Sequence, residues 1–239
     1  MAGDTLRSCT LVEGAKVPKA RPGRPGGRRD TNRKERTQAL ADAGLQLFLA
    51  RGIEAVAIED IATAAGLAKG SFYRYFDDKT ALVERLLAPI DADVAAVFDA
   101  SLARLATGTR KEDPGDVYVD FALTFAAVVF QHPQVALLYL QESRAPGTGA
   151  RAPVAKLTRR ISIKALEQTA FAQKHGVVPP FPAVISMLTV IGAVERLLFA
   201  ILSNESLGEN VEPLEATQAF IGLVFDDLRT RGGGVEKAA

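Results

Sequence analysis

The sequence predicts an all-α fold, with a small N-terminal domain and a larger helical part behind it. Apolar residues recur three and four positions apart through most of the chain, which is the period of an amphipathic helix. Prolines at 114, 133, 153, 182 and 213 fall near predicted helix starts, where a missing amide proton costs little. The alternation and turn dipeptides typical of β-hairpins are absent. With 239 residues, 48% of them apolar, the chain can bury a large core.

The stretch from Ile58 to Lys79 has the pattern of two short helices joined at a glycine. Four apolar residues share one face of the first helix: Ile58, Ile61, Ala62 and Ala65. Gly66 then permits a positive-φ turn that other residues resist. In the second helix Phe72 and Phe76 face inward, and the remaining side chains are polar or aromatic. This is the pattern of a helix-turn-helix, whose second helix enters the major groove of DNA.

The segment from Arg51 to Leu87 resembles the N-terminal DNA-binding domain of the TetR family of bacterial one-component repressors. The residues that carry the resemblance are Phe48, Gly52, Ile58, Ile61, Ala62, Ala65, Gly66, Leu67, Gly70, Phe72, Tyr73, Tyr75, Phe76 and Lys79. Val56, Ala57 and Ala68 depart from it, because the family usually has hydroxyl residues there that cap the two helices and touch phosphate. A missing cap costs about 1 kcal/mol, so we expect weaker anchoring at these places.

The resemblance implies an all-α regulator with an N-terminal three-helix helix-turn-helix domain and a larger helical ligand-binding and dimerisation domain. We expect a disordered basic arm at residues 1–30, the DNA-binding domain at 31–80 and the effector-binding and dimerisation domain at 81–239. Residues 1–80 hold 14 Lys and Arg against 10 Asp and Glu, whereas residues 81–239 hold 15 against 18. Positive charge around the helix-turn-helix suits a polyanionic partner, although a solvated basic tail is the alternative.

The candidate contacts to double-stranded operator DNA lie mostly on the second helix of the motif. We expect Ser71 and Arg74 to reach base edges and Gly70 to permit close approach. The remaining candidates contact phosphates: Arg36, Lys69, Tyr73, Tyr75 and Lys79. Ahead of the domain, Arg21 and Arg24 lie in a Gly-Arg-Pro segment that resembles an AT-hook. Such an arm would enter a narrow minor groove, and a plain basic tail is again the alternative.

The sequence also predicts the helix boundaries. The first helix should begin near Thr31 or Asn32 and end at Gly52, and the fourth should be capped by Asp77 or Asp78. Pro89 should kink or break that fourth helix. Further helices are expected at about 114–131, 133–144, 151–175, 180–204 and 212–230.

The predicted helix at 180–204 is apolar around nearly its whole circumference, and a helix of this kind needs partners on every side. Together with the predicted last helix it suits a two-fold homodimer with a four-helix interface. The TetR resemblance implies the same pair of helices. The alternatives are a large monomer core or a membrane span, and Glu195 and Arg196 argue against the span.

The middle helices mix aromatic residues with isolated polar groups, the composition of a small-molecule cavity. Our candidates for binding a small hydrophobic effector are Tyr118, Phe121, Phe125, Tyr139, Glu142 and Met187. For each of them taken alone, an ordinary core or rim residue is the alternative. We interpret His132, which precedes Pro133, as a cap or loop residue.

An enzyme is the second hypothesis, and the residues do not favour it. His132 and His175 lie far apart and lack a metal-spaced partner, and neither a phosphate-binding loop nor a Gly-x-Ser-x-Gly motif occurs. We therefore expect no catalytic residue, metal or cofactor. The single Cys9 and the lack of a signal peptide suit a cytoplasmic protein. A third hypothesis is a DNA-binding dimer without an effector.

Overall fold

The computed structural model describes residues 27–107, 114–174 and 180–205, together with Ala219 and Gly222. Within these ranges the chain forms eight α-helices and a short 3-10 helix at Gly149–Arg151. The α-helices are α1 (Arg28–Arg51), α2 (Ile58–Ala64), α3 (Lys69–Phe72), α4 (Lys79–Thr107), α5 (Pro114–Gln131), α6 (Pro133–Glu142), α7 (Ala152–Lys174) and α8 (Ala183–Leu202). The described residues contain no strand, and the predicted all-α fold is confirmed.

The first three helices form the predicted helix-turn-helix domain around a shared apolar core. Phe48 of α1 and Phe72 of α3 are fully buried, and Phe76 packs beside Phe72 with ring centroids 5.6 Å apart. Between α2 and α3, Gly66 adopts a φ of +69°, and the amide of Leu67 donates to the carbonyl of Ala62 at 2.8 Å. Gly66 therefore forms the positive-φ turn that the sequence predicted.

The fourth helix joins this domain to the rest of the molecule. Asp78 accepts a hydrogen bond from the amide of Ala81 at 2.8 Å, so it supplies the predicted N-terminal cap. α4 approaches α1 closely at Gly44, where a Cβ atom would lie only 2.7 Å from Cδ2 of Leu82. α4 continues past Pro89 to Thr107, so Pro89 does not break the helix.

The C-terminal helices pack around the second half of α4. α5 and α7 both lie against it, and α8 packs against α6 and α7. Prolines stand at or next to the starts of α5, α6, α7 and α8, as the sequence predicted. α4 thus contacts α5, α6 and α7, and the buried core extends along it from the helix-turn-helix to α8.

Some boundaries differ from the prediction. α1 begins at Arg28 rather than near residue 31, so Arg28 and Arg29 belong to the helix and not to the preceding arm. Its cap residue is Gly27 in an extended conformation, which offers no polar side chain to signal the start. Residues 1–26, including Arg21 and Arg24, lie outside the described residues, as does nearly all of the helix expected at 212–230.

α8 is exposed over much of its apolar surface in the single chain. Four large side chains of this helix are at least two-fifths exposed: Val184, Ile185, Leu188 and Val190. By length and composition alone α8 could cross a membrane, with a mean hydropathy of 2.0 and 22% of its most apolar window buried. α5 and α6 pass the same test only as a pair bent by 99°. This is weak evidence for a membrane span, since the core helices of other proteins meet the same criterion.

Candidate functional site

The α3 helix presents a polar surface to solvent while its aromatic side is buried. Lys69, Gly70 and Arg74 are exposed, and Tyr73 is 53% exposed. Ser71 and Tyr75 are half-buried, and Tyr75 packs against the core. The buried Phe72 fixes this orientation, because its ring contacts that of Tyr73 edge-on at 5.7 Å. Of the residues predicted to read DNA, Lys69, Gly70, Tyr73 and Arg74 are thus exposed on α3 and the turn after it.

Lys69 forms an ion pair on this surface. Its Nζ lies 2.9 Å from Oε2 of Glu59 on α2, and both side chains are more than half exposed. The hydrogen bond that Lys69 donates to Glu59, together with the negative charge of Glu59, raises the pKa of the Lys69 ammonium, which is therefore cationic at neutral pH. A phosphate that binds Lys69 has to compete with Glu59, a partner that the sequence prediction did not identify.

The Lys79 ammonium is hydrogen-bonded within the protein, and these bonds compete with its predicted contact to a DNA phosphate. The Nζ atom donates to the backbone carbonyls of Ile53 at 2.7 Å, Val56 at 2.9 Å and Glu54 at 3.3 Å. All three carbonyls belong to the loop between α1 and α2, which has no helical partners for them. Lys79 therefore holds that loop against the start of α4.

The start of α2 lacks a cap on Ala57 but has a substitute. Asp60 accepts a hydrogen bond from the Ala57 amide at 3.4 Å and also faces Arg51 at 3.4 Å. An acidic residue three positions after the cap is a recognised start signal, so the sequence contained the information that we missed. At α3, Ala68 makes no side-chain cap, as its sequence predicted.

The basic start of α1 lies in the same N-terminal domain. Arg36 is exposed, as are Arg29 and Arg33, and Lys34 pairs with Asp30 at 3.2 Å. The amide groups of a helix start favour anions, so these cations add to a positive surface. Arg36 is thus accessible to a phosphate.

A cavity of about 660 Å³ lies between α4, α5, α6, α7 and α8. Most of its wall is aliphatic or aromatic. Five of the six predicted effector residues line it: Tyr118, Phe121, Phe125, Tyr139 and Met187. The volume falls within the range of sites that enclose small organic molecules.

Three phenylalanines form one wall of the cavity. The ring of Phe98 on α4 lies 4.9 Å from that of Phe121 and 6.1 Å from that of Phe125, both on α5. Phe121 and Phe125 are 5.9 Å apart. Phe98 was not predicted, although it follows Val94 by four positions on the apolar face of α4. An apolar ligand would contact α4 directly through this cluster.

Two sets of hydrogen-bonded polar groups lie at the cavity wall. In the first, the Tyr118 hydroxyl donates to the backbone carbonyl of Gln168 at 2.9 Å, and the Gln168 amide nitrogen donates to Oγ of Ser101 at 2.7 Å. In the second, the Tyr139 hydroxyl donates to Oε1 of Glu195 at 3.2 Å. Burial raises the pKa of both tyrosines, so their hydroxyls stay protonated and act as donors.

Glu195 is the charged residue of the cavity wall that the sequence prediction did not assign to the site. Its side chain is 15% exposed, and Arg144 donates to its Oε2 at 2.6 Å from a position that is itself 71% exposed. The signal was present in the sequence, because Glu195 interrupts an otherwise apolar helix.

Glu142 is buried but does not line the cavity, and its predicted role as an effector ligand is corrected. Its Oε1 accepts a hydrogen bond from the amide of Ile53 at 2.8 Å, and its Oε2 pairs with Nε of Arg151. Both partners lie on the side facing the helix-turn-helix domain, and α6 packs against α1. Glu142 therefore links the C-terminal helices to the loop after α1.

The histidine at the α5–α6 junction is a cap-position residue, as predicted. His132 precedes Pro133 at the start of α6, and its Nε2 lies 2.9 Å from Oδ2 of Asp93. Across the described residues, no group of three or more His, Cys, Asp or Glu side chains is arranged to hold a metal ion.

Residues 40–86 match the family described as bacterial regulatory proteins, tetR family. This match covers the helix-turn-helix and the first part of α4. It includes Lys69, Gly70, Ser71 and Arg74, which lie on α3 and in the turn after it.

Among curated proteins, the chain is 35% identical over 105 residues to the transcriptional regulator AcuR of Cereibacter sphaeroides, which is 41% of this chain and 47% of AcuR. The chain thus spans about half the length of this relative, and 33% and 29% of two other curated relatives.

Among solved structures, the fatty acid degradation regulator FadR from Bacillus halodurans is similar with a TM-score of 0.59 and 15% identity, covering 81% of this chain and 96% of FadR. AibR, crystallised with isovaleryl coenzyme A and operator DNA, has a TM-score of 0.54 and 14% identity, covering 80% of this chain and 98% of AibR. At these identities the likeness concerns the fold, and it extends through the C-terminal helices as well as the helix-turn-helix.

Proposed function

Because residues 40–86 place this chain in the TetR family of bacterial regulatory proteins, we propose that it is a transcriptional repressor released from DNA by a small, mostly apolar effector. One observation carries the proposal: α4 serves both the DNA-reading domain and the cavity. Leu82 and Val83 are fully buried in its first turns, next to the helix-turn-helix. Ile90, Val94 and Phe98, further along the same helix, line the cavity.

On DNA, α3 is the reading helix. Ser71 and Arg74 contact base edges, and Gly70 permits the backbone to come close. Phosphate contacts come from Lys69, Tyr73 and Tyr75, with Arg36 as a further contact from α1. The exposure of Lys69, Tyr73 and Arg74, and of Arg36, supports these roles. Arg21 and Arg24 are proposed to contact the minor groove from the N-terminal arm.

The operator is roughly palindromic, because the repressor acts as a homodimer. The exposed apolar surface of α8 supports this arrangement, since two copies related by a two-fold axis would cover it. Two reading helices must then lie about 34 Å apart to enter successive major grooves of one DNA face. A partner of this kind also places the protein in the cytoplasm, with the DNA.

The effector releases DNA by binding more tightly to the conformation that does not fit the operator. Coupling of about 1–3 kcal/mol is typical for such linkage. A ligand among α4, α5 and α7 displaces α4, and this displacement changes the spacing of the two reading helices. Phe98 is the contact through which α4 responds, because it packs against two phenylalanines of α5.

Two proteins of the same fold motivate an effector with an apolar acyl part. AibR was crystallised with an acyl thioester of coenzyme A and with operator DNA, and FadR is named for fatty acid degradation. The aromatic and aliphatic wall of the cavity suits the apolar part of such molecules.

The test begins with selection of DNA sites from a random pool by the full-length protein. A thermal-shift screen of small hydrophobic compounds then identifies ligands, since a ligand of the native state raises the melting temperature. We expect hits to release the selected DNA. A cavity-filling Ala165→Phe variant is the matched control, because Ala165 lines the cavity far from α3. This variant should bind DNA, but the compounds found in the screen should not release it from DNA. Hits that bind the wild-type protein and leave its DNA affinity unchanged would refute the release mechanism.

A further inference from the structure

The cavity has an acidic group in its wall, and this group indicates which apolar molecules it accepts. We propose that the preferred ligand has an apolar body and a hydrogen-bond-donating head group, a hydroxyl or a protonated amine, that binds the carboxylate of Glu195. A free carboxylate in that position is disfavoured. This inference rests on the proposed function, because it concerns the same cavity, and it narrows the chemical class of the effector.

Glu195 is placed to meet a ligand. It lies on α8 between Val194 and Leu198, and all three residues line the cavity. Oε1 accepts one hydrogen bond, from Tyr139, and Oε2 accepts one, from Arg144. An ionised carboxylate has about four acceptor positions on its two oxygens, so these two bonds leave acceptor capacity for a ligand.

The positive partner of Glu195 lies away from the ligand. The Arg144 side chain is 71% exposed and does not line the cavity, whereas Glu195 is 15% exposed and does. Among the described residues that line the cavity there is no Lys, Arg or His. The charged group that the described residues place on the wall is therefore a carboxylate, whose charge Arg144 balances from outside the wall. A protonated amine or a hydroxyl can donate to its remaining lone pairs, whereas a ligand carboxylate has no proton to donate.

Four of the five hydroxyl groups that the described residues place on the wall have the same polarity, and Ser186 is the fifth. The hydroxyls of Tyr118 and Tyr139 donate to Gln168 and Glu195, as described above. Those of Thr169 and Thr189 donate to backbone carbonyls one helical turn earlier, at 2.8 Å and 2.9 Å. Each hydroxyl has one proton, and in these four residues it is already used. What these groups offer a ligand is an oxygen lone pair, which again selects a donor.

A matched series of ligands tests the inference: 1-decylamine, 1-decanol and decanoate, which share one alkyl chain and differ in the head group. Dissociation constants for the full-length protein are measured by isothermal titration calorimetry at neutral pH. We expect the amine and the alcohol to bind at least about tenfold more tightly than decanoate, a difference of about 1.4 kcal/mol.

Substituting Glu195 tests whether this residue determines which head group the cavity prefers. Glu195→Gln should weaken the binding of 1-decylamine by about tenfold. It should also reduce the difference in affinity between 1-decylamine and decanoate, since the charge is removed and an amide donor is added. The matched control is Glu205→Gln, because Glu205 also pairs with an arginine, Arg196, but on the exposed end of α8. This control should keep the wild-type order of affinities. The series on the wild-type protein is decisive by itself if Glu195→Gln does not fold.

Several results would overturn the inference: tighter binding of decanoate, equal binding of the three compounds, or no binding of any of them. Tighter binding of decanoate that is lost in Arg144→Ala would show that Arg144 turns inward. A different result would count against the proposed function alone. If 1-decylamine binds with the expected preference but does not release the protein from operator DNA, the inferred ligand class stands and the release mechanism is refuted.

Discussion

Glu142 accepts a hydrogen bond from the backbone amide of Ile53 at 2.8 Å, across 89 positions of sequence. Glu142 ends α6, the helix whose Ala136, Tyr139 and Leu140 line the cavity. Ile53 lies in the loop that leads into α2. A second connection therefore runs from the cavity to the DNA-reading domain in addition to α4, and this buried carboxylate is part of it, beside the packing of α6 against α1.

Replacing this carboxylate by an amide should weaken the connection. Glu142→Gln keeps the shape of the side chain, but its amide nitrogen must face either the Ile53 amide or Arg151, which are both donors. We expect the free energy of unfolding to fall by about 1–3 kcal/mol, measured by urea denaturation. Glu167→Gln, on the exposed side of α7, is the control and should be close to neutral. Equal stability of the two variants would show that the contact contributes nothing.

Gly52 is required for the geometry of the same contact. Its backbone has φ +80° and ψ 155°, a region that is nearly restricted to glycine. A Cβ atom there would also lie 3.1 Å from Oε1 of Glu142. Gly52→Ala should therefore lower the free energy of unfolding by about 1–3 kcal/mol. The comparison is Gly192→Ala in α8, where a Cβ meets nothing within 4 Å and helix propensity improves. A Gly52→Ala protein as stable as wild type would contradict the backbone argument.

Lys79 should affect folding more than DNA binding. Lys79→Met removes the donor to three carbonyls of the α1–α2 loop and leaves them without that partner. We expect a loss of about 1–3 kcal/mol in unfolding free energy, with the salt dependence of DNA binding unchanged. Lys156→Met removes an exposed lysine whose partner Glu84 is 3.5 Å away, and should change stability by less than about 1 kcal/mol. If Lys79→Met reduces the slope of log DNA affinity against log salt, Lys79 contacts a phosphate, as the sequence predicted.

These contacts show where sequence reasoning succeeds and where it stops. The burial of Phe72 and Phe76 and the turn at Gly66 were predictable, because each depends on spacing within one short segment. The cap at Asp78 was predictable for the same reason. Periodicity also indicated that Tyr118, Phe121 and Phe125 face inward on one helix, which was enough to place them in the cavity.

The roles of Lys79 and Glu142 were not predictable in this way, because their partners are distant in sequence. Lys79 binds carbonyls 23 to 26 positions earlier, and Glu142 binds an amide 89 positions earlier. A polar side chain on a helix has no pattern that distinguishes a ligand contact from a bond to another element. Only the packing of α6 against α1 decides that Glu142 faces away from the cavity.

Substituting Gly70 should weaken DNA binding without lowering the stability of the fold. A Cβ added at this position meets nothing within 4 Å, and alanine favours a helix by up to about 1 kcal/mol over glycine. Gly70→Ala should therefore fold as stably as wild type or slightly more so. If the glycine permits close approach of α3 to DNA, the affinity for the selected site falls by about tenfold, a loss of about 1.4 kcal/mol. An electrophoretic mobility shift titration measures it, and unchanged affinity would remove Gly70 from the interface.

Arg74 and Lys69 should differ in what they contribute on DNA. Arg74→Ala removes a base contact, so it should cost about 1–3 kcal/mol on the selected site and relax sequence choice. Lys69→Ala removes a phosphate contact, so it should weaken all duplexes alike and reduce the slope of log affinity against log salt by about 1. Both effects are measured by titrating a panel of single-base variants of the selected site at several salt concentrations.

Glu59 supplies the control for Lys69, because the two side chains pair at 2.9 Å in the absence of DNA. Glu59→Gln leaves the lysine in place and removes its anionic competitor. If Lys69 binds phosphate, this variant should bind every duplex somewhat more tightly, with the salt slope of wild type or a steeper one. A Glu59→Gln protein that behaves like Lys69→Ala would instead mean that the ion pair orients α3. In that case the loss in Lys69→Ala would reflect a misplaced reading helix, and no phosphate contact would need to be invoked.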